Sequence, residues 1–205
     1  MGTEGRIYLY PKWLRAWHGL NALGIIVLIF TGINMQYASP DFQLMRFDLA
    51  IRFHNIAGVL VAVSYLLFFI GNLVSSNGTF YQIKLKGLRN RLFLQIRYYA
   101  YGMFKKEECP FPVSEKRKFN PLQKYSYIAV MYVFVPLVII SGIALLFPEL
   151  IITEVYGVSG VFLTALLHAS VGFLISIFLI VHVYVASVGK SPFKNYRSII
   201  TGWHE

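Results

Sequence analysis

Long apolar runs separated by short polar stretches dominate the chain. Four of them are long enough to cross a hydrocarbon core, which takes about 20 helical residues. They cover residues 17–37, 51–74, 125–147 and 161–188, and none holds a Lys, Arg, Asp or Glu in its interior. The first exceeds a signal-peptide apolar core and lacks a small-residue cleavage site, so it is expected to remain as a helix. Pro136 lies inside the third run, where a kink is expected. Between the second and third runs, residues 87–103 mix basic and aromatic side chains such as Arg91, Phe93, Arg97, Tyr98 and Tyr99. That mixture predicts a short amphipathic helix lying at the membrane surface. No repeat or second domain interrupts the pattern. The expected architecture is all-α, a single membrane domain over residues 1–205 built as a four-transmembrane-helix bundle.

Composition agrees with this pattern. Hydrophobic residues make up 57% of the 205 and charged residues 14%, with a mean hydropathy of +0.58. A soluble domain is about half apolar and about a quarter charged. The net charge of +10 would suit nucleic acid if it were spread over one soluble face. Instead 17 of the 19 basic residues fall on one side of the predicted spans. They are Arg6, Lys12 and Arg15 before the first, eleven residues from Lys84 to Lys124 in the loop, and Lys190, Lys194 and Arg197 in the tail. The other side keeps Arg46 and Arg52 beside Asp41, Asp48, Glu149 and Glu154. By the positive-inside rule both termini and the loop over residues 75–124 are cytoplasmic (N-in/C-in). The excess charge then serves orientation and attraction to anionic lipid, with no nucleic-acid role. One cysteine, Cys109, excludes a disulfide framework, a thioether haem attachment and any four-cysteine cluster.

The histidines carry the candidate chemistry. His18, His54, His168 and His182 lie in or at the mouths of apolar spans, where an ionisable side chain is costly and marks a functional site. Depth pairs His18 with His182 near the cytoplasm and His54 with His168 near the outside. Fourteen residues separate His168 from His182. On a helix that is about 21 Å along the axis and within about 40° of one face. One helix thus offers two imidazoles at two depths, each opposite a histidine from another helix. That is the geometry of two stacked bis-histidine haems, whose filled axial positions suit electron transfer.

Glycine placement fits. Gly58 and Gly172 each follow a histidine by four residues, one turn along the same face, leaving room for a flat macrocycle. Gly32 follows His18 by fourteen, while Gly24 and Gly142 are equally explained by close helix packing. The competing explanation is four separate helix–helix hydrogen-bonding histidines. A metal-transport reading would need carboxylates or thiols beside the imidazoles, and the spans hold none. Arg15 and Arg52, close before His18 and His54, could meet haem propionates or simply snorkel to headgroups. His204, in the polar tail, is not expected to be a ligand.

In this order and spacing the residues resemble the four-helix di-haem cytochrome b subunits of formate dehydrogenase, nickel-iron hydrogenase and thiosulfate reductase, within the prokaryotic cytochrome b561 group. The carriers are Arg15-x-x-His18, His54 with Gly58, Asn120-Pro-Leu-Gln123-Lys124, His168-Ala-Ser-Val-Gly172, Val181-His182-Val-Tyr184 and the ending Ile199-Ile-Thr-Gly202-Trp203. The resemblance implies two haem b groups, an outer one on His54 and His168 and an inner one on His18 and His182. It also implies a bacterial inner-membrane location and a quinone (menaquinone or ubiquinone) site near Asn120, Gln123 and Lys124, with Lys190 a further candidate. A periplasmic oxidoreductase partner carrying iron-sulfur clusters or c-type haems is implied too. For Asn120-Pro121 a helix start is an equally good explanation. A stand-alone superoxide:quinone oxidoreductase of the same fold and a haem-free adaptor or transporter are the competing functions.

Overall fold

The computed structural model describes residues 6–39, 44–188 and 193–204; Asp41 and Lys190 lie outside them. Four helices are long and apolar enough to span a membrane: α1 (Lys12–Tyr37), α2 (Phe47–Val74), α4 (Pro121–Leu146) and α5 (Gly160–Ser187). Two shorter helices, α3 (Leu88–Arg97) and α6 (Lys194–Thr201), lie outside the spans. Helix α1 packs along α2 and α4 along α5, and the two pairs meet where α2 touches α4 and α1 touches α5. Large apolar side chains such as Leu23, Leu67, Ile140, Phe173 and Ile180 face outward. The interior mixes the polar Asn21, Thr31, Ser64, Asn72 and Ser141 with apolar residues such as Phe68, Val130 and Val171. This inversion of the soluble pattern is expected of a bundle whose solvent is lipid. The protein is therefore built as a multi-pass membrane protein.

Polar side chains tie α1 to α2. Asn21 Nδ2 donates to Ser64 Oγ, and Trp17 Nε1 donates to Ser64 O at 3.0 Å. The helices come close because Gly24 has no side chain: a Cβ there would lie 2.5 Å from Val61 Cγ2. Helix α4 starts at Asn120 with a complete capping box, Asn120 Oδ1 accepting from Gln123 N and Gln123 Oε1 accepting from Asn120 N. Pro121 occupies the first helical position, where its missing N–H costs nothing. Ahead of Pro136, the turn Val130–Phe134 widens into a π turn in which Val135 N–H bonds Val130 O. The widened turn accommodates the proline expected there to kink the span, and the helix continues to Leu146.

Both termini lie at one end. Strand β1 (Ile7–Tyr8) pairs antiparallel with β4 (Trp203–His204), and Gly202 O accepts from Leu9 N and Tyr10 N. Gly202 takes φ +91°, closing α6 in the left-handed cap that favours glycine. The opposite end carries the hairpin β2 (Glu154–Val155) and β3 (Val158–Ser159), turned through Tyr156 and Gly157, both at positive φ.

Candidate functional site

The structure brings the four span histidines together in twos. The His18 and His182 rings face each other with centres 6.3 Å apart, and those of His54 and His168 with centres 6.1 Å apart. Two metal–imidazole bonds of about 2.0–2.1 Å, plus about 1.1 Å from each bonded nitrogen to its ring centre, place facing imidazoles about 6.3 Å apart across one iron. A direct hydrogen bond between the two rings would bring the centres to about 5 Å, and only an edge-to-face contact shares the wider spacing. Among the described residues no three His, Cys, Asp or Glu side chains gather into a site for a bare metal ion. The histidines come as opposed twos, the donor set of a six-coordinate haem iron.

At the hairpin end, small hydroxyls orient both rings. Thr31 Oγ1 donates to Val27 O at 2.7 Å and lies 2.9 Å from His54 Nδ1. Ser141 Oγ donates to Leu137 O at 2.7 Å and lies 3.0 Å from His168 Nδ1. Each hydroxyl hydrogen is directed at a carbonyl, so each oxygen is placed to accept from the imidazole Nδ1–H, and the carbonyls of Leu28 and Val138 offer the His54 and His168 rings a second acceptor. That fixes the tautomer and leaves Nε2 as the free ligating nitrogen of each ring. The residue after each hydroxyl is a glycine. A Cβ on Gly32 would lie 3.6 Å from His54 Cε1, and one on Gly142 3.0 Å from His168 Cε1. Gly142, which the sequence left as a packing residue, thus makes room for the His168 ring. The paired signal Thr31-Gly32 and Ser141-Gly142, one on each neighbouring helix, is the one that could have revealed the two hydroxyls.

At the terminal end the setting is aromatic. His182 stacks on Phe178 with ring planes 15° apart, and Tyr127 OH lies 3.3 Å from His182 Nδ1. A cleft of about 360 Å3 opens beside His18, lined by Lys12, Arg15, Gly19, Ile199 and Ile200. Arg15 Nη1 donates to Thr201 O at 2.6 Å while its buried Nε has no partner among the described residues. Between the two histidine levels lies an apolar cluster of Val130, Val135, Val171 and Ile175.

The glycines one turn from the histidines front open space. A Cβ on Gly172 would meet nothing within 4 Å, and one on Gly58 only Leu28 at 3.9 Å. With the ring separation, this room fits a macrocycle at the His54–His168 pair, and at the His18–His182 pair the open space lies beside Gly19, where a Cβ would meet nothing within 4 Å. Arg52 stands exposed at the hairpin end of α2. Around the cap of α4, Asn120 Nδ2 donates to Tyr99 OH at 2.8 Å, so both ends of its amide are engaged. Gln123 uses its carbonyl in the cap, and Lys124 faces Lys84 and Arg91. His204 lies 3.2 Å from Ser198 Oγ, in the terminal clasp and away from the span pairs.

A family model described as prokaryotic cytochrome b561 matches residues 9–202. The chain belongs to the prokaryotic cytochrome b561 family. It is similar to an Escherichia coli (strain K12) protein named "Putative cytochrome YdhU", at 33% identity over 199 residues, 97% of this chain and 75% of that one. No solved structure matches the chain. Membership makes this a b-type cytochrome of membrane electron transfer and implies haem b as its cofactor. The family match runs from Leu9 to Gly202, the two residues joined by the backbone bond of the terminal clasp.

Proposed function

We propose that this b561-family cytochrome passes electrons across a bacterial inner membrane on two haem b groups, between a periplasmic redox partner and the membrane quinone pool. His54 and His168 would hold the outer haem, and His18 and His182 the inner one, with both termini cytoplasmic. The observation that carries the reading is the matched separation of the two imidazole pairs, each wide enough for one iron. Haem b held by two imidazoles supplies reversible one-electron storage without an open coordination position. The chain's residues then do the rest. Thr31 and Ser141 hold the outer imidazoles in the ligating tautomer, and Tyr127 and Phe178 fix the His182 ring. The valine and isoleucine cluster keeps water out of the layer between the pairs. At the cytoplasmic mouth, Arg15 offers an unfilled N–H beside His18 and is suited to a propionate.

For the quinone end we assign the cap of α4, with Asn120 positioning the Tyr99 hydroxyl and Gln123 and Lys124 contributing the remaining donors of the motif. Iron-sulfur clusters or c-type haems in a periplasmic subunit are the expected electron source or sink, because the hairpin end of this chain carries only short loops.

The test is a dithionite-reduced-minus-oxidised spectrum of the solubilised chain with haem quantitation. The expected result is two b-type haems per chain. His168→Leu and His182→Leu should each lose one, and full haem content in both variants would refute the ligand assignment.

A further inference from the structure

Lys118 is counted by the sequence among the topological charges, yet it is buried, with 7% of its surface exposed. An ammonium that has left water needs an anion or a full set of acceptors, because desolvation otherwise disfavours its charge. Lys118 has neither. Its Nζ donates to Asn77 Oδ1 at 2.8 Å and lies 4.5 Å from the Phe80 ring centre and 5.4 Å from that of Tyr10. No carboxylate among the described residues comes within ion-pair distance. Burial lowers its pKa to about 8. The amide beneath it is rigid: Asn77 Nδ2 donates to Asn72 Oδ1 at 2.7 Å, and Asn72 Nδ2 donates to Tyr132 OH at 3.1 Å. That chain presents an acceptor to Lys118 and satisfies one of its three N–H groups.

The position of this cation matters. Tyr10, under its ammonium, also contacts the clasp at Gly202, where a Cβ would lie 2.8 Å from Tyr10 O and 2.9 Å from Arg15 Nη1. Phe119, the next residue along the chain, packs edge-on against Tyr127, which in turn reaches His182. Lys118 is thus linked through Tyr10 to the clasp that also holds Arg15, and through Phe119 and Tyr127 to His182. Haem brings two carboxylates in its propionates, the kind of anion this cation lacks.

We propose that Lys118 is the counter-cation of the inner haem, pairing with a propionate carboxylate and holding the inner haem's reduction potential above that of a variant without the charge. This rests on the two-haem reading. A fixed positive charge favours the added electron, so its removal stabilises the oxidised form. A purely structural role, pinning the loop to Asn77, predicts no such change.

The experiment is an equilibrium redox titration of the full-length chain in detergent, with haem content measured alongside. It is run on the wild type, Lys118→Gln and Lys118→Arg, and again in a His168→Leu background that leaves the inner haem alone. Lys118→Gln keeps an N–H for Asn77 but removes the charge. It should shift the inner-haem equilibrium toward the oxidised form by tenfold or more, 59 mV for one electron. The outer haem should not move, and Lys118→Arg should recover most of the shift. Selective loss of the inner haem in Lys118→Gln, restored in Lys118→Arg, would equally support the pairing. Two haems with an unmoved inner midpoint would overturn the proposal alone, as would a Lys118→Arg that shifts as far as Lys118→Gln. A wild-type chain without an inner haem would overturn the two-haem reading and the proposal together.

Discussion

The hydroxyls behind the outer histidines offer the sharpest test of how this bundle controls its chemistry. Thr31 and Ser141 sit 2.9 Å and 3.0 Å from the Nδ1 atoms of His54 and His168, and each gives its own hydrogen to a carbonyl 2.7 Å away. Thr31→Val keeps the shape of the side chain and removes the acceptor. The imidazole N–H then keeps only the Leu28 carbonyl beside it, and losing the better acceptor costs about 1 kcal/mol. An accepted hydrogen bond gives the imidazole more anionic character, which favours ferric iron, so its loss falls more heavily on the oxidised state. If about 1 kcal/mol of the loss is specific to that state, the midpoint rises by roughly 40 mV, since tenfold is 59 mV for one electron. Ser141→Ala should do the same from the other side of the ring pair.

The assay is again a redox titration, with the inner haem as an internal reference because neither hydroxyl approaches His18 or His182. The expected result is a rise in the outer midpoint for each single variant and a larger rise for the double. Haem content should stay at two, with weaker retention of the outer haem under competition by apomyoglobin. A fall in the outer midpoint, or a shift confined to the inner haem, would refute both the tautomer assignment and the pairing.

Two further outcomes follow from the terminal end. Gly202→Ala puts a side chain on a residue at φ +91° with a Cβ 2.8 Å from Tyr10 O. It should cost about 1–3 kcal/mol and appear as a lower thermal midpoint together with easier loss of the inner haem. Asn120→Ala removes the α4 cap and the bond to Tyr99, at a cost of about 1 kcal/mol for the cap. Asn120→Ser should restore the stability because it still caps, whereas a raised KM for quinone that persists in the serine variant would assign the amide to the quinone itself.

The pairing of histidines was legible because depth and a fourteen-residue spacing on one helix leave few ways to combine four imidazoles. The cap at Asn120-Pro121 was legible for a local reason, since both residues act within one turn. Thr31 and Ser141 were not, because a hydroxyl in a membrane helix ordinarily bonds its own i−4 carbonyl. Here each does that and accepts from a histidine as well, and only the rotation of one helix against another decides the second bond. Lys118 was hidden for a similar reason. In a stretch with Lys116 and Arg117, nothing local distinguishes the buried cation from its exposed neighbours. Its burial comes from Asn77 and Phe80, some forty residues away in the chain. The clasp of β1 on β4 joins the two ends of the sequence, and no periodicity could have announced it. The ending Ile199-Ile-Thr-Gly202-Trp203 has a physical reason in the structure: a helix cap at Gly202 with the Thr201 carbonyl held by Arg15.

The two histidine pairs are alike in separation and unlike in surroundings, and the difference bears on what each end can do. The His54–His168 pair at the hairpin end sits among Thr31, Ser141, Gly32 and Gly142, with each Nδ1 beside an oxygen whose own hydrogen points at a carbonyl. Such a shell has no group to titrate, so it suits an electron passing without a proton. The terminal-end pair lies beside a cleft lined by Lys12 and Arg15, and Tyr127 reaches His182. Burial keeps the Tyr10 hydroxyl protonated and lowers the Lys118 ammonium over its ring to about 8, so one titratable cation stands close to that end of the bundle. Quinone reduction takes two electrons and two protons, and among the described residues the terminal end sets the cleft beside His18 next to the cations Lys12 and Arg15. The asymmetry therefore supports placing quinone chemistry at the inner pair without reference to direction, because oxidation of a quinol releases its protons through the same layer.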